Sequence, residues 1–270
     1  VTIPGMGLGV VGAAIGTVSA ELVAASITMY ILCFRSKELS LRIDTGRFLP
    51  TWGVVKRALH ISLPMGLQQT IMCSAYVMTT IIIAPLGTFA IAANSFGVIV
   101  ESLCYMPGYG IADAATTLVG QSIGAGRHEL MKRFAWLSVG LGVTVMAVMG
   151  VVMYVGAPVA MAMMTPAEEV RRLGVEVLRI EAFAEPMFAA AIVSYGVFVG
   201  AAKTLVPSIM NLVSIWGVRI SLAALLAPSM GLRGVWIAMC IELCFRGFIF
   251  LVKLKFWNIQ TSCNHYGKDQ

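Results

Sequence analysis

Acidic side chains inside apolar segments are the residues of this sequence that can do chemistry. Five glutamates lie in stretches made almost wholly of apolar residues: Glu21, Glu101, Glu181, Glu185 and Glu242. A charge at the centre of a bilayer costs at least about 2.5 kcal/mol, so such a group is expected to face a cavity, to pair with a cation or to carry a proton. These residues indicate transport of a cation or a proton across a membrane.

Three of the glutamates are the candidate coupling residues. Glu101 lies about 18 Å, or twelve helical residues, from the start of its apolar segment, which places it near mid-membrane. Glu181 and Glu185 are four residues apart, so they lie on one helix face, where two ionised carboxylates repel each other. We predict that the three bind a cation or a proton. The alternative is structural: a hydrogen-bonded carboxyl at Glu101, and pairing of Glu181 with Arg179.

Opposite charges occur together in the last two apolar segments. Arg219 and Glu242 are expected at similar depth, and Glu242 and Arg246 are four residues apart on one helix. We predict a buried structural ion pair among these three residues, with a role in the movement of one lobe against another as the alternative.

Other residues in the apolar segments suggest a cleft and a hinge. Gln68, Gln69 and Asn94 are polar and can either line a cleft or join helices by hydrogen bonds. The segment that carries Glu101 also contains a cluster of helix-bending residues, which predicts a hinge at Pro107, Gly108 and Gly110.

Several chemistries find no support in the sequence. The cysteines and histidines lack metal-ligand spacing, and no nucleophile constellation, phosphate-binding loop or basic nucleic-acid patch occurs. We therefore predict a protein that is not an enzyme, with no metal, no cofactor and no nucleic-acid partner.

The elements that carry these residues are expected to be membrane-spanning helices. Hydrophobic residues make up 59% of the 270 and charged residues 12%, whereas soluble domains contain about 25% charged residues. This predicts an all-α, polytopic membrane protein. Seven segments are long enough to span a bilayer: residues 8–33, 59–86, 89–122, 134–155, 178–199, 206–226 and 234–254.

Turn signals give the expected bounds of these spans. The turn Gly124-Ala125-Gly126 should end the third span, Pro158 should close the fourth, and a turn that begins at Pro228 should follow the sixth. Thr165 and Pro166 begin a helix that we expect to run on without a break into the fifth span.

The basic residues predict the orientation. Thirteen lie between 35 and 57, between 127 and 133, at 203 and between 253 and 268, and the opposite loops hold only Arg171, Arg172, Arg179 and Arg233. By the positive-inside rule the first set faces the cytoplasm, so the N-terminal end is outside and the C-terminus inside.

Three stretches of the sequence are similar to one known family. They are IPGMGLGVVGAAIGT (residues 3–17), LPMG with IAPLG (63–66 and 83–87), and AAN through LVGQSIGAGR (92–94 and 118–127). They resemble the sixth, seventh and eighth helices of MATE (multidrug and toxic compound extrusion) transporters, and the similarity extends over residues 3–254.

The resemblance implies a twelve-helix protein of two six-helix lobes. It would export organic, drug-like and mainly cationic compounds in exchange for Na⁺ or H⁺, by alternating access, from a cell membrane such as the bacterial inner membrane. This chain would then comprise the last helix of the N-terminal lobe (1–34), a cytoplasmic basic connector (35–58), the C-terminal lobe (59–254) and a cytoplasmic tail (255–270). Its partners would be the substrate, the lipid bilayer and the missing N-terminal lobe.

The sequence departs from one branch of that family at two positions. The branch has a glutamate eight residues after the Leu-Pro proline of its seventh helix, and Met72 stands there; its tenth-helix aspartate aligns with Phe188. We expect Met72 and Phe188 to line a substrate cleft. Coupling would then depend on Glu101, Glu181 or Glu185, or on the missing lobe.

Two other functions fit parts of the pattern. Seven spans with this orientation match a seven-helix receptor, and a flippase for lipid-linked precursors shares the transporter fold. A cleft lined with basic residues would favour the flippase, although the buried charges of the sequence are mostly acidic.

Overall fold

The computed structural model describes residues 9–35 and 51–257, and these residues contain helices and no strand. The α-helices are α1 Gly9–Tyr30, α2 Trp52–Ile83, α3 Thr88–Gly124, α4 His128–Met164, α5 Glu168–Glu181, α6 Glu185–Gly200, α7 Leu205–Val213, α8 Ser221–Met230 and α9 Leu232–Lys255. A π-helical stretch, Ser214–Ile220, joins α7 to α8. The predicted all-α fold is confirmed.

The helices that can cross a membrane number five or six among the described residues. Five are long and apolar enough, one of them the continuous run Leu205–Met230 made of α7, the π-helical stretch and α8, and the bent pair α5 and α6 is a sixth if the two are counted as one span. In α1 the apolar stretch Ala14–Tyr30 is shorter than the spans. The polytopic class is therefore confirmed, whereas the predicted number of seven spans is not.

The helix that was predicted to run on into the fifth span, residues 178–199, is broken, which corrects the prediction of a continuous helix. The axes of α5 and α6 differ by 59°, and a turn closed by the Ala184 amide and the Glu181 carbonyl oxygen (2.8 Å) separates them. Pro186 stands in the first turn of α6 and has no N–H to donate back to the preceding turn. The break falls where the charged sequence of α5 gives way to the apolar sequence of α6.

Two prolines expected at helix ends lie inside helices. Pro158 lies within α4, which continues to Met164, and Pro228 lies within α8, which continues to Met230. Neighbouring helices and local adjustments satisfy the freed backbone groups in membrane helices, so proline is a weaker stop signal there than in soluble proteins. The turn after α3 is confirmed: Gly126 adopts a φ of +69°, which favours glycine.

The predicted connector and the predicted tail lie partly outside the described residues. Helix α2 begins at Trp52, so residues 52–58 of the predicted connector are helical. Residues 36–50 of the connector and 258–270 of the tail are not among the described residues.

Within residues 56–257 the core forms where α3, α4, α6 and α9 pack together, and small residues allow their close approach. A Cβ atom added to Gly196 of α6 would lie 2.5 Å from the Ala112 carbonyl oxygen of α3. At the same contact the Thr116 hydroxyl donates to the Gly196 carbonyl oxygen at 2.8 Å. On the other face of α6, Gly247 of α9 packs against the Met187 backbone. Helix α6 is therefore held between α3 and α9.

Candidate functional site

A cavity of about 260 Å³ lies between α2, α3, α6, α9 and the π-helical stretch. Aliphatic, aromatic, polar and charged residues line it. The lining includes Met72, Tyr76, Asn94, Glu101, Tyr105, Tyr109, Phe188, Arg219, Trp236, Met239 and Arg246. A cavity of this composition in an apolar helical lobe is the default candidate for a binding site.

Glu101 is the one carboxylate among the described residues that line the cavity. It lies on α3 and is 9% exposed. Its carboxylate interacts electrostatically with Arg219 as well as with Glu181 and Glu185. The side chain thus combines a position inside the lobe with access to the cavity, which is what binding of a cation or proton requires.

Glu181 and Glu185 stand on either side of the break between α5 and α6, away from the cavity lining. Each is 1% exposed. Both oxygens of Glu185 and Oε2 of Glu181 are buried without a hydrogen-bond partner among the described residues. Unpaired carboxylates are costly to bury in ionised form, so these two are further candidates for a proton or cation.

The three residues of the predicted ion pair have different partners. Arg246 Nε lies 3.2 Å from Glu242 Oε1, and this pair is buried. The Ser214 hydroxyl, from the π-helical stretch, donates to the same Glu242 oxygen at 2.6 Å. Arg219 instead contacts the Met239 sulfur with Nη2 at 2.6 Å and lies 5.9 Å from the centroid of the Tyr76 ring.

The predicted cleft residues divide into three groups. Met72, Asn94 and Phe188 line the cavity, and Asn94 Oδ1 accepts a hydrogen bond from Trp236 Nε1 at 3.1 Å. Gln68 does not line the cavity and accepts a hydrogen bond from the Tyr195 hydroxyl at 3.0 Å. Gln69 is exposed and does not line it.

The predicted hinge lies in a helix that is unbroken. Helix α3 continues through Pro107, Gly108 and Gly110. A Cβ on Gly108 would lie 2.9 Å from Ile192 and 3.0 Å from Met146, whereas one on Gly110 would meet nothing within 4 Å. Gly108 therefore serves helix packing, and bending at this cluster stays a prediction.

Aromatic residues of the site were missed by the sequence reasoning. Tyr105 and Tyr109 pack edge-on against Phe188, with ring centroids 5.7 and 6.4 Å apart. Glu101, Tyr105 and Tyr109 follow each other at intervals of four residues on one face of α3, which is the signal that could have found them. The described residues contain no cluster of His, Cys, Asp or Glu that could hold a metal ion.

Comparisons with known proteins point to one family. The MatE family model matches residues 64–225. A probable multidrug resistance protein NorM of Thermotoga maritima is 28% identical over 250 residues, 91% of this chain and 53% of that protein. Its counterpart in Xylella fastidiosa is 29% identical over 238 residues, 87% of this chain and 50% of that protein.

The fold is similar to solved structures of MATE proteins. One of them, solved in complex with MaL6, superposes with a TM-score of 0.81 at 20% identity, and the match covers 92% of this chain and 56% of that one. The chain spans about half the length of the curated relatives it matches. Because the family model matches more than half of its residues, the chain belongs to the MatE family.

Proposed function

We propose that this chain is the C-terminal part of a secondary-active exporter that moves drug-like organic compounds in exchange for Na⁺ or H⁺. Family membership and the relatives' names as multidrug resistance proteins support export of such compounds. The observation that carries the proposal is Glu101, which lies inside an apolar lobe and opens into a cavity.

The proposed division of the chain is compatible with its match to about half the length of the relatives. Residues 1–34 supply the last helix of an N-terminal lobe, residues 35–58 a cytoplasmic connector, residues 59–254 the C-terminal lobe and residues 255–270 a cytoplasmic tail. The second lobe completes the binding cleft, and the N-terminal end of this chain faces outward. Alternating access then consists of the two lobes rocking about the cleft.

Glu101 has the chemistry for coupling in this scheme. An ionised carboxylate at mid-membrane is unfavourable without a cation or a proton. When an incoming ion or proton occupies Glu101, a positively charged group of the substrate loses its partner and leaves. Exchange follows because one carboxylate cannot serve both cations at once. Glu181 and Glu185 are close enough electrostatically to influence that exchange.

The test is transport by the full-length protein in everted membrane vesicles, with a panel of fluorescent dyes that includes cations, zwitterions and anions. We expect uptake of at least one dye when a Na⁺ or H⁺ gradient is imposed, and its loss when monensin or nigericin dissipates that gradient. Dye movement that ignores both gradients, or no movement of any dye, would contradict secondary-active export.

A flippase for lipid-linked precursors is the second candidate. Two arginines and one glutamate line the cavity; Glu242 pairs with Arg246 from outside the lining, so Arg219 is the observation that favours an anionic cargo. Translocation of a fluorescent polyprenyl-diphosphate in proteoliposomes, without dye export, would select the flippase.

A further inference from the structure

We propose that a groove between α4, α9 and the end of α5 binds a phospholipid with a net negative headgroup. The phosphate pairs with Arg179, and one acyl chain lies against the apolar wall of the groove. This site is separate from the cavity that Glu101 lines, and the inference does not depend on what the chain exports.

The groove has a volume of about 350 Å³, which is within the range of about 300–1,000 Å³ that small-molecule sites occupy. Arg179 is the one charged residue among the described residues that line it. Aromatic and branched aliphatic side chains form most of the wall: Tyr154, Ile180, Phe183, Ile237 and Ile241. The groove and the cavity share no lining residue. A single cation beside an apolar wall is the composition that suits an amphipathic anion.

Arg179 has no anion of its own in the part of the chain that the structure describes. Its guanidinium lies 5.2 Å from the centroid of the Tyr154 ring, and no carboxylate lies within 4 Å of it among residues 9–35 and 51–257. Glu176, one turn earlier on α5, is paired with Arg233. A guanidinium on an aromatic face keeps its five N–H donors in the plane of the fork. That fork binds a phosphate through two parallel hydrogen bonds.

The position of Arg179 suits a lipid headgroup. Charged residues occur along α5 from Glu168 onward, and Arg179 is the last exposed charge before the apolar helix α6. Between Arg179 and Lys203, beyond the end of α6, the charged residues are Glu181 and Glu185, and both are buried. Long cationic side chains at such a boundary extend to headgroup level. The groove lies toward the C-terminal end of α4, which in the proposed orientation places the lipid in the outer leaflet.

The apolar wall continues inward from Arg179. Ile237 and Ile241 are four residues apart on one face of α9, a rise of about 6 Å. Tyr154 of α4 and Phe183 of the break between α5 and α6 meet edge to face, with ring centroids 5.8 Å apart. The Phe183 side chain is 72% exposed and that of Ile241 45%. These exposed apolar groups form a concave strip that an acyl chain can cover.

The charge of the lining selects the headgroup. An anionic phospholipid satisfies Arg179 with its phosphate and leaves no second charge unpaired. A zwitterionic phospholipid also brings an ammonium group, and no carboxylate is among the described residues that line the groove. We therefore expect the anionic lipid to bind about fivefold more tightly, the contribution of one arginine near the membrane surface.

The test uses a phosphatidylglycerol with a diazirine at the end of one acyl chain, added to the purified full-length protein in detergent. After illumination, peptide mass spectrometry should find the label at Phe183, Ile237 or Ile241. Unlabelled phosphatidylglycerol should compete for this labelling at about one fifth of the concentration of phosphatidylethanolamine with the same chains. Label confined to other parts of the chain, or equal competition by the two lipids, would overturn the proposal.

Variants assign the headgroup contact to one side chain. Arg179→Gln should weaken phosphatidylglycerol binding at the labelled site about fivefold. Arg172→Gln is the matched control, because Arg172 is an exposed arginine about two turns earlier on α5 and does not line the groove. It should change the affinity less than twofold. Equal effects of the two variants would refute the assignment to Arg179.

Other occupants give other outcomes in the same experiment. If the missing lobe covers the groove, the wild-type protein shows no label there, and the lipid site is refuted without any variant. If dyes of the transport panel displace the label more effectively than phosphatidylglycerol does, the groove takes dyes and the lipid proposal fails. None of these measurements uses an ion gradient, so failure of the export proposal leaves the lipid site standing, and the converse also holds.

Discussion

The Glu242 carboxylate should be the most costly charge to remove in the lobe. It is fully buried, and its contacts are the Arg246 guanidinium at 3.2 Å and the Ser214 hydroxyl at 2.6 Å. Glu242→Gln keeps the shape of the side chain but leaves the Arg246 charge buried without an anion. Breaking a buried pair from one side costs about 3–5 kcal/mol, which corresponds to a fall of roughly 6–20 °C in Tm for an unfolding unit of the size of this chain.

The second ion pair of the described residues supplies the control. The side chains of Arg233 and Glu176 are 49% and 32% exposed, and an exposed pair contributes at most about 1 kcal/mol. Glu176→Gln should therefore lower Tm by no more than about 4 °C. Both variants are the same chemical change in a Glu–Arg pair and differ chiefly in burial.

The assay is thermal unfolding of the full-length protein in detergent, followed by size-exclusion fluorescence. The double variant Glu242→Gln with Arg246→Gln should regain at least half of the loss, because it removes the unpaired charge. Equal Tm shifts for Glu242→Gln and Glu176→Gln, or no recovery in the double variant, would refute the assignment of Glu242 to a buried ion pair.

Three further predictions concern packing and burial. Gly196→Ala should destabilise the full-length protein by about 1–3 kcal/mol in thermal unfolding, since the new methyl group meets the α3 backbone. The control Gly140→Ala should be neutral or stabilising, because a methyl group there has nothing within 4 Å. If Gly140→Ala were the more destabilising of the two, the result would contradict the helix packing described. Trp236→Phe should cost more than its lost area, because the Asn94 carbonyl oxygen loses its donor, and the additional variant Asn94→Leu should recover part of that cost in the same assay. Glu185→Gln should leave Tm unchanged or raise it, because neither carboxylate oxygen has a partner; a clear fall would show that the carboxylate is paired.

The sequence predicted the helices better than the directions in which their charged side chains point. Residue counts placed Arg219 and Glu242 at one level, but a helix can present a side chain to any neighbour at that level. In the structure Arg246 is the arginine that lies at ion-pair distance from Glu242, and Arg219 faces the cavity. The direction in which a side chain points around its helix axis depends on tertiary packing, which cannot be derived from a single sequence.

Proline and glycine signals were reliable only in part. The glycine turn after α3 is present, because Gly126 supplies a positive φ that other residues resist. The helix ends predicted at Pro158 and Pro228 were wrong, because both prolines lie inside helices that continue past them. Pro186 had not been considered as a break, although it stands at the start of α6. Tyr105 and Tyr109 were missed for another reason. Tyrosines in apolar segments resemble ordinary packing residues unless they share a helix face with a buried carboxylate, as these two do with Glu101.

The most direct test of the central claim is gradient-driven dye transport by the full-length protein with Glu101→Gln. Asp113→Asn is the matched control, since Asp113 is an exposed carboxylate on the same helix, α3. If Glu101 couples the ion to the substrate, transport by Glu101→Gln falls to the level of vesicles without the protein, while Asp113→Asn retains most of the wild-type rate. Undiminished transport by a well-folded Glu101→Gln protein would contradict the account.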